Sequence, residues 1–373
     1  MSFDVSTITT GMTATSTVAV TYLSTIHATG TTTLDDLGVV LNDIDTITGF
    51  TNEVTRLTQA EAEAAGYTWV TDRAGLTTAL TNGVNVVLGA DIDLSSEDWT
   101  GISYAGTLDG NGYVIKNMTT STGFFSTLNG TIKNLGFENA TIAESTSFAG
   151  VLAGSSDGAT IENCYVANSS VLSTRSYTGG LIGVATSTTV SSTNAINVVV
   201  NSNCVDGSAG GLIGRANSVT VSGTNVIGCN ISSAADSYNS GYGAGGIIGR
   251  AYSGGATISD SRVYNTQVNA LQAAAGGIVG GVYNVAVTIS NTEVNCQAIG
   301  QRAGNLLGYI RGSSSYVITL ENNSYNSSNG LASYGSKTAA AVITESGTTA
   351  HLGFGNDLTV HNAFGVCHVP DCS

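Results

Sequence analysis

The sequence predicts an all-β protein built as a parallel β-helix, a solenoid preceded by a small N-terminal cap that contains short helices. Three observations carry this. Two short phrases alternate along the middle of the chain, at about thirty residues per repeat. The segments they define are rich in Val, Ile and Thr and bounded by Gly, Ser and Asn clusters, which reads as strands and turns. No helical apolar period runs through them, and glycines four apart are poor helix material. Units that bury their apolar faces only against neighbours must stack. Stacking pairs each strand with its equivalents above and below, at about 4.8 Å per coil.

The first phrase reads Gly150-Val-Leu-Ala-Gly154, Gly179-Gly-Leu-Ile-Gly183, Gly210-Gly-Leu-Ile-Gly214, Gly245-Gly-Ile-Ile-Gly249, Gly276-Gly-Ile-Val-Gly280 and Gly304-Asn-Leu-Leu-Gly308. Glycine on both sides of an apolar step suits a strand entered and left through tight corners, where a side chain would meet the next coil. At least one of each apolar pair, such as Leu181-Ile182 or Leu212-Ile213, is expected to point inward. The second phrase follows each copy: Ile161-Glu-Asn-Cys-Tyr-Val166, Val190 to Ala195, Val221 to Val226, Ile258 to Val263, Ile289 to Val294 and Leu320 to Tyr325. Shorter copies precede it at Ile115-Lys-Asn-Met118 and Ile132 to Phe137. Its third position holds Asn117, Asn134, Asn163, Ser192, Gly223, Asp260, Asn291 and Asn322. Asn tolerates left-handed turns, and stacked amides can hydrogen-bond along the axis, so this column is read as scaffold.

Composition agrees. Of 373 residues, 48 are glycine, one is proline and 10% are charged, while 42% are hydrophobic. Disorder is disfavoured by that apolar content and by the repeat. A net charge of −15 with only 11 Lys and Arg makes a nucleic-acid partner unsuitable.

Taken in order, residues 1–67 form an N-terminal extension and cap. Ser16-Thr-Val-Ala-Val-Thr-Tyr22 alternates, as an assembly strand exchanged between subunits would, or as a strand covering the solenoid. No Sec signal peptide and no membrane span are expected in this chain. Residues 34–66 are expected to hold one or two short helices, and Arg73 to Leu80 another. Thr71 or Asp72 would be its N-cap, with Gly83 after its end. Residues 68–330 form the β-helix, its coils beginning at Val84 to Leu88 and Ala90 to Leu94.

The order Ala90-Asp-Ile-Asp-Leu94, Trp99-Thr-Gly-Ile102, Gly106-Thr-Leu-Asp-Gly-Asn-Gly112, Ile115-Lys-Asn-Met118, Gly123-Phe-Phe125 and Gly130 to Leu135 resembles the first coils of GLUG-motif proteins. The Gly-Gly-Leu-Ile-Gly phrases are similar to the GLUG motif itself. The resemblance covers roughly residues 68–330. It implies a right-handed β-helix of the kind found in bacterial surface proteins, adhesins and the non-catalytic parts of some secreted peptidases. Fold does not carry chemistry with it.

Residues 331–373 read as C-terminal strands, at Leu352 to Gly355 and Leu358 to Asn362, and a cysteine-containing tail. Cys367 and Cys372 would close a small disulfide loop or make one intermolecular bond. His361 and His368 match no standard zinc spacing. Cys164 aligns with Thr193, Thr224, Ser261 and Thr292 and reads as a buried small side chain. That threonine column is interrupted, unlike the unbroken flat one an ice-binding face would want.

No catalytic, cofactor or metal residues are expected. None of the four histidines (His27, His351, His361, His368) lies in the repeats, which disfavours a Ser/His/Asp arrangement. The carboxylates Asp109, Glu138, Asp157, Glu162, Asp206, Asp260, Glu293 and Glu321 do not gather in adjacent coils of one column, as carbohydrate-active β-helices require. Asp109-Gly-Asn-Gly112 reads as a turn. Arg215 and Arg250 share a column and are read as solvated turn residues. The expectation is a non-enzymatic, extracellular or cell-surface structural and adhesive protein. It would self-associate as a homo-oligomer or filament and contact a surface glycan or other cell-surface ligand. The alternative is a carbohydrate-recognising, tail-type β-helix with hydrolase activity.

Overall fold

The computed structural model describes residues 54–351, apart from 144–147, 175–176, 237–240, 313–315 and 339–340, together with strands Asp357–Asn362 and Gly365–Pro370. It divides into two units, Thr55–Gly353 and a second made of Met1–Val54 with Phe354–Ser373. In the second, the two strands pair antiparallel, with Thr359 opposite His368 and His361 opposite Val366. The stretch Ser16 to Tyr22, the strand expected at Leu352 to Gly355 and Cys372 lie outside the described residues.

The larger unit opens on two helices. Helix α1, Gln59–Ala64, starts from a capping box in which Thr58 and Glu61 satisfy each other's backbone. Helix α2, Arg73–Thr81, starts at Asp72, whose carboxylate accepts from Gly75 N at 2.8 Å. Leu76, Ala79 and Leu80 of α2 are buried in one cluster with Val86, Leu88 and Leu108 of the first coils. The helix thereby covers the apolar end that a solenoid would otherwise expose.

Beyond α2 the chain winds into a parallel β-helix. A full coil carries five short strands. The first joins a nine-stranded parallel sheet that includes Ala153–Asp157, Ile182–Thr186, Ile213–Asn217 and Ile248–Ala251. The other positions stack in the same way, and both phrases fall into register. Gly179 pairs with Gly210, then Gly245, Gly276 and Gly304. Ile161 pairs with Val190, then Val221, Ile258, Ile289 and Leu320. Stacking continues past residue 330, where Val342–Ser346 lies on Val317–Glu321 and Thr349–His351 on Ser324–Asn326.

The glycines are there for space. A Cβ on Gly179 would stand 2.6 Å from Leu212 O of the next coil, and one on Gly249 2.7 Å from both Ala209 O and Gly214 O. Both members of each apolar pair, Leu181-Ile182 through Leu306-Leu307, are fully buried.

Three corners per coil are turned by a left-handed residue, one of them through Gly158, Ser187, Ser218 and Asn284. Another holds Asn134, Asn163, Ser192, Gly223, Asp260, Asn291 and Asn322, all with φ between 47° and 60°. Asn163 Nδ2 donates to Asn134 Oδ1 at 2.7 Å, and Asn291 Nδ2 to Asp260 Oδ1 at 3.1 Å. The next residue turns inward and closes the corner by donating to the carbonyl two residues back. Thr193 does so at 2.9 Å, Ser261 at 2.7 Å, Thr292 at 3.0 Å and the Cys164 thiol at 3.3 Å.

One alignment is corrected. Ile115 pairs with Phe137 and not with Ile132, whose partner is Leu108. Asn117 therefore belongs to the remaining corner, with Asn139, Asn168, Asn197, Gly228 and Asn265, which are also left-handed. The copy was misplaced because Asp109-Gly-Asn-Gly112 inserts a bulge into strand Thr107–Lys116.

Candidate functional site

The groups best arranged for recognition lie on the outer side of the nine-stranded sheet. Val184, Arg215, Arg250, Gly281 and Tyr309 occupy successive rungs of one outward column. The two arginines thus start from neighbouring strands, about one strand spacing apart. Arg250 is only 5% exposed and Arg215 half-buried. Both differ from the solvated residues the sequence suggested, because tyrosines enclose them.

One wall comes from the corner preceding this sheet. Tyr177, 7% exposed, has its hydroxyl 3.2 Å from Arg250 Nη1, which donates to it. The next rung of its column carries Ser208, a small residue that leaves the ring and the guanidinium room. Tyr242 completes the wall, its ring centroid 6.5 Å from that of Tyr177. The opposite wall is Tyr252 and Tyr283, adjacent in the stack with rings 5.4 Å apart and nearly parallel. Gly241, at φ +70°, brings the backbone across Gly281, where a Cβ would collide with Gly241 O.

The rings grip the cations. Arg250 lies 4.4 Å from the Tyr242 ring, 4.6 Å from Tyr252 and 4.9 Å from Tyr283. Arg215 lies 4.3 Å from Tyr252 and 5.2 Å from Tyr177. Each such contact contributes about 0.5–2 kcal/mol, more where water is excluded. Arg215 Nε donates to Asn217 Oδ1 at 3.2 Å, while Arg250 Nε is buried without a hydrogen-bond partner among the described residues. Burial, with Tyr177 next, holds the Tyr242 phenol above its ordinary pKa, against the Arg250 charge. Tyr242 therefore keeps its hydroxyl proton at physiological pH. These six side chains line a cavity of about 260 Å³, at the small end for ligand sites.

The sequence reading missed the tyrosines, although Tyr252 and Tyr283 stand at the same offset after Gly249 and Gly280.

Several of the carboxylates weighed as candidates serve the scaffold. Asp109 accepts from Asn111 N at 2.8 Å and Asn134 Nδ2 at 3.0 Å and pairs with Lys133 at 3.2 Å. Glu138 takes the Tyr165 hydroxyl at 2.7 Å. Glu293 takes the Tyr264 hydroxyl and Arg262 Nε, at 2.5 and 2.9 Å. The Thr193, Thr224 and Thr292 column is wholly buried. A different column, running through Thr131, Thr160, Thr189, Thr220 and Thr257, places threonine on successive outward rungs. It continues through Thr288, Thr319 and Thr344.

No group of three or more His, Cys, Asp or Glu suited to a metal occurs among the described residues. No helix there is long and apolar enough to cross a membrane. No protein-family model matches the chain, and no curated protein matches it. Among solved structures it is similar to the crystal structure of a "putative immunoglobulin A1 protease" from Bacteroides ovatus. The two share 21% identity at a TM-score of 0.52, over 79% of this chain and 85% of that one. The likeness is one of fold.

Proposed function

We propose that this chain is a non-catalytic, extracellular or cell-surface adhesive protein, whose β-helix presents a preformed binding pocket and whose ends serve self-association. The observation that carries the reading is the arginine–tyrosine pocket. Its groups are fixed cations framed by tyrosine rings on stacked strands, suited to holding a ligand. General acid–base work instead needs a group poised near neutral pH. The glycine phrases, read as GLUG-like, belong with this proposal. The protease name of the Bacteroides ovatus protein favours peptide hydrolysis as the second reading, and the same experiment separates the two. The purified chain is applied to glycan-coated and cell-coated surfaces, and in parallel to immunoglobulin A1 and a fluorogenic peptide mixture. Retention with all ligands recovered intact supports adhesion, whereas cleavage with turnover replaces it by hydrolysis.

The outward threonine column favours one other use, a flat hydroxyl face matched to an ordered lattice such as ice. A thermal-hysteresis measurement on the full chain decides it, since an ice binder depresses freezing below melting.

A further inference from the structure

We infer that the pocket lined by Tyr177, Arg215, Arg250, Tyr242, Tyr252 and Tyr283 is a site for the carboxylate of an acidic sugar. The inference deepens the adhesive reading above and rests on it for the biological source of that sugar.

Charge is the first argument. The chain carries −15 overall, yet two arginines on adjacent rungs line one pocket. Like charges so placed repel, and desolvation adds to the cost. The described ion pairs use Arg73, Lys116, Lys133 and Arg262. Among the described residues, neither Arg215 nor Arg250 is paired with a carboxylate. The tyrosine rings offset part of that cost and leave the positive charge in place.

The second argument is a specific orphan donor. Arg250 is only 5% exposed, its Nη1 is engaged by Tyr177, and its Nε has no partner among the described residues. A buried charged donor left unsatisfied is costly and rare. A planar carboxylate entering the pocket would accept from that Nε, with the η nitrogens of Arg215 on the adjacent rung. Arginine suits such an acceptor because its donors lie in one plane at fixed angles.

The third argument selects the rest of the ligand. The Tyr252 and Tyr283 rings stack 5.4 Å apart with their faces taken by guanidiniums, so the pocket offers polar groups, which fits the hydroxyl-rich edge of a saccharide. A pocket of about 260 Å³ is of a size to take one sugar ring.

Calorimetric titration of the full chain tests this, with N-acetylneuraminate and D-glucuronate as probes beside their methyl esters and inorganic phosphate. The acids are expected to bind at millimolar affinity or better, the esters at least tenfold more weakly, and phosphate more weakly than the acids. Arg250→Gln and the half-buried Arg215→Gln should each weaken acid binding at least tenfold. If Arg250→Gln does not fold, Arg215→Gln alone decides. Equal binding of acid and ester, binding of phosphate as tight as the acids, or indifference to Arg215→Gln in a folded protein each overturns the inference. Adhesion to neutral glycans without acid selectivity would sink this site while sparing the adhesive function. Acid binding in solution by a chain that no coated surface retains would do the reverse.

Discussion

At Asn163 the fold depends on a residue being comfortable at φ 56° while its amide reaches the coil below. A β-branched residue there meets the left-handed penalty of about 1–2 kcal/mol and loses the amide bond as well. Asn163→Val should therefore lower the thermal midpoint clearly more than Asn163→Gly, which keeps the backbone and loses only the amide. Equal midpoints would remove the corner argument. The buried thiols give a second prediction. Burial pushes Cys164 and Cys229 up from 9.0 to about 12, against their bonds to backbone groups. Thiols with a raised folded pKa contribute stability that is complete below about pH 9 and is lost as pH rises toward 12. Chemical denaturation should show falling stability over that window, and at pH 8 an aromatic disulfide reagent should reach Cys204 but neither Cys164 nor Cys229 until the protein unfolds. At this scale the sequence was informative wherever chemistry repeated. The asparagine corner and the small inward residue after it were both legible. The burial of Arg250 was not, because enclosure depends on Tyr177 and Tyr242 arriving from another side of the coil.

Among elements, the glycine phrase sets the tightest condition. A methyl on Gly249 would meet backbone oxygens of two neighbouring segments, and backbone cannot move aside as a side chain can. Gly249→Ala should cost more than the roughly 2–5 kcal/mol of emptying a buried aliphatic site such as Ile213→Ala. Ile213→Asp, which buries an unpaired carboxylate, should be comparably severe. Denaturant midpoints for the three variants would check the order, and an unaltered midpoint for Ile213→Asp would undo the stacked register. The phrases were readable because each copy solves the same packing problem. The first coils were not, because the bulge at Asp109-Gly-Asn-Gly112 shifts everything after it. Asn111 exploits that bulge: its side chain accepts from Leu57 N at 2.7 Å and donates to Leu57 O at 3.0 Å, strapping the N-terminal segment to the solenoid's flank.

For the whole molecule, stability in a stacked solenoid is close to a sum over coils and their interfaces. Removing residues 1–33 takes nothing from α1, α2 or the described coils, so the β-helix should stay folded. If the removed stretch joins subunits, self-association should disappear with it. Light scattering on the full and shortened chains checks both, and two monomers at high concentration would end the assembly proposal.

Coil length varies at one place in particular. Ser202 and Ser208 are separated by a short connector, Ser233 and Gly243 by a longer one, while Arg262–Gly276 runs through the same corner as continuous strand. The longer connector delivers Gly241 and Tyr242 to the pocket. Lengthening a surface connector is inexpensive, about 0.6 kcal/mol per doubling by chain entropy, and the stacked strands do not register the change. Editing that one connector would thus change what the protein grips while leaving the stacked core as it is. A designer could do the same, exchanging residues 234–242 as a cassette on an unaltered stack.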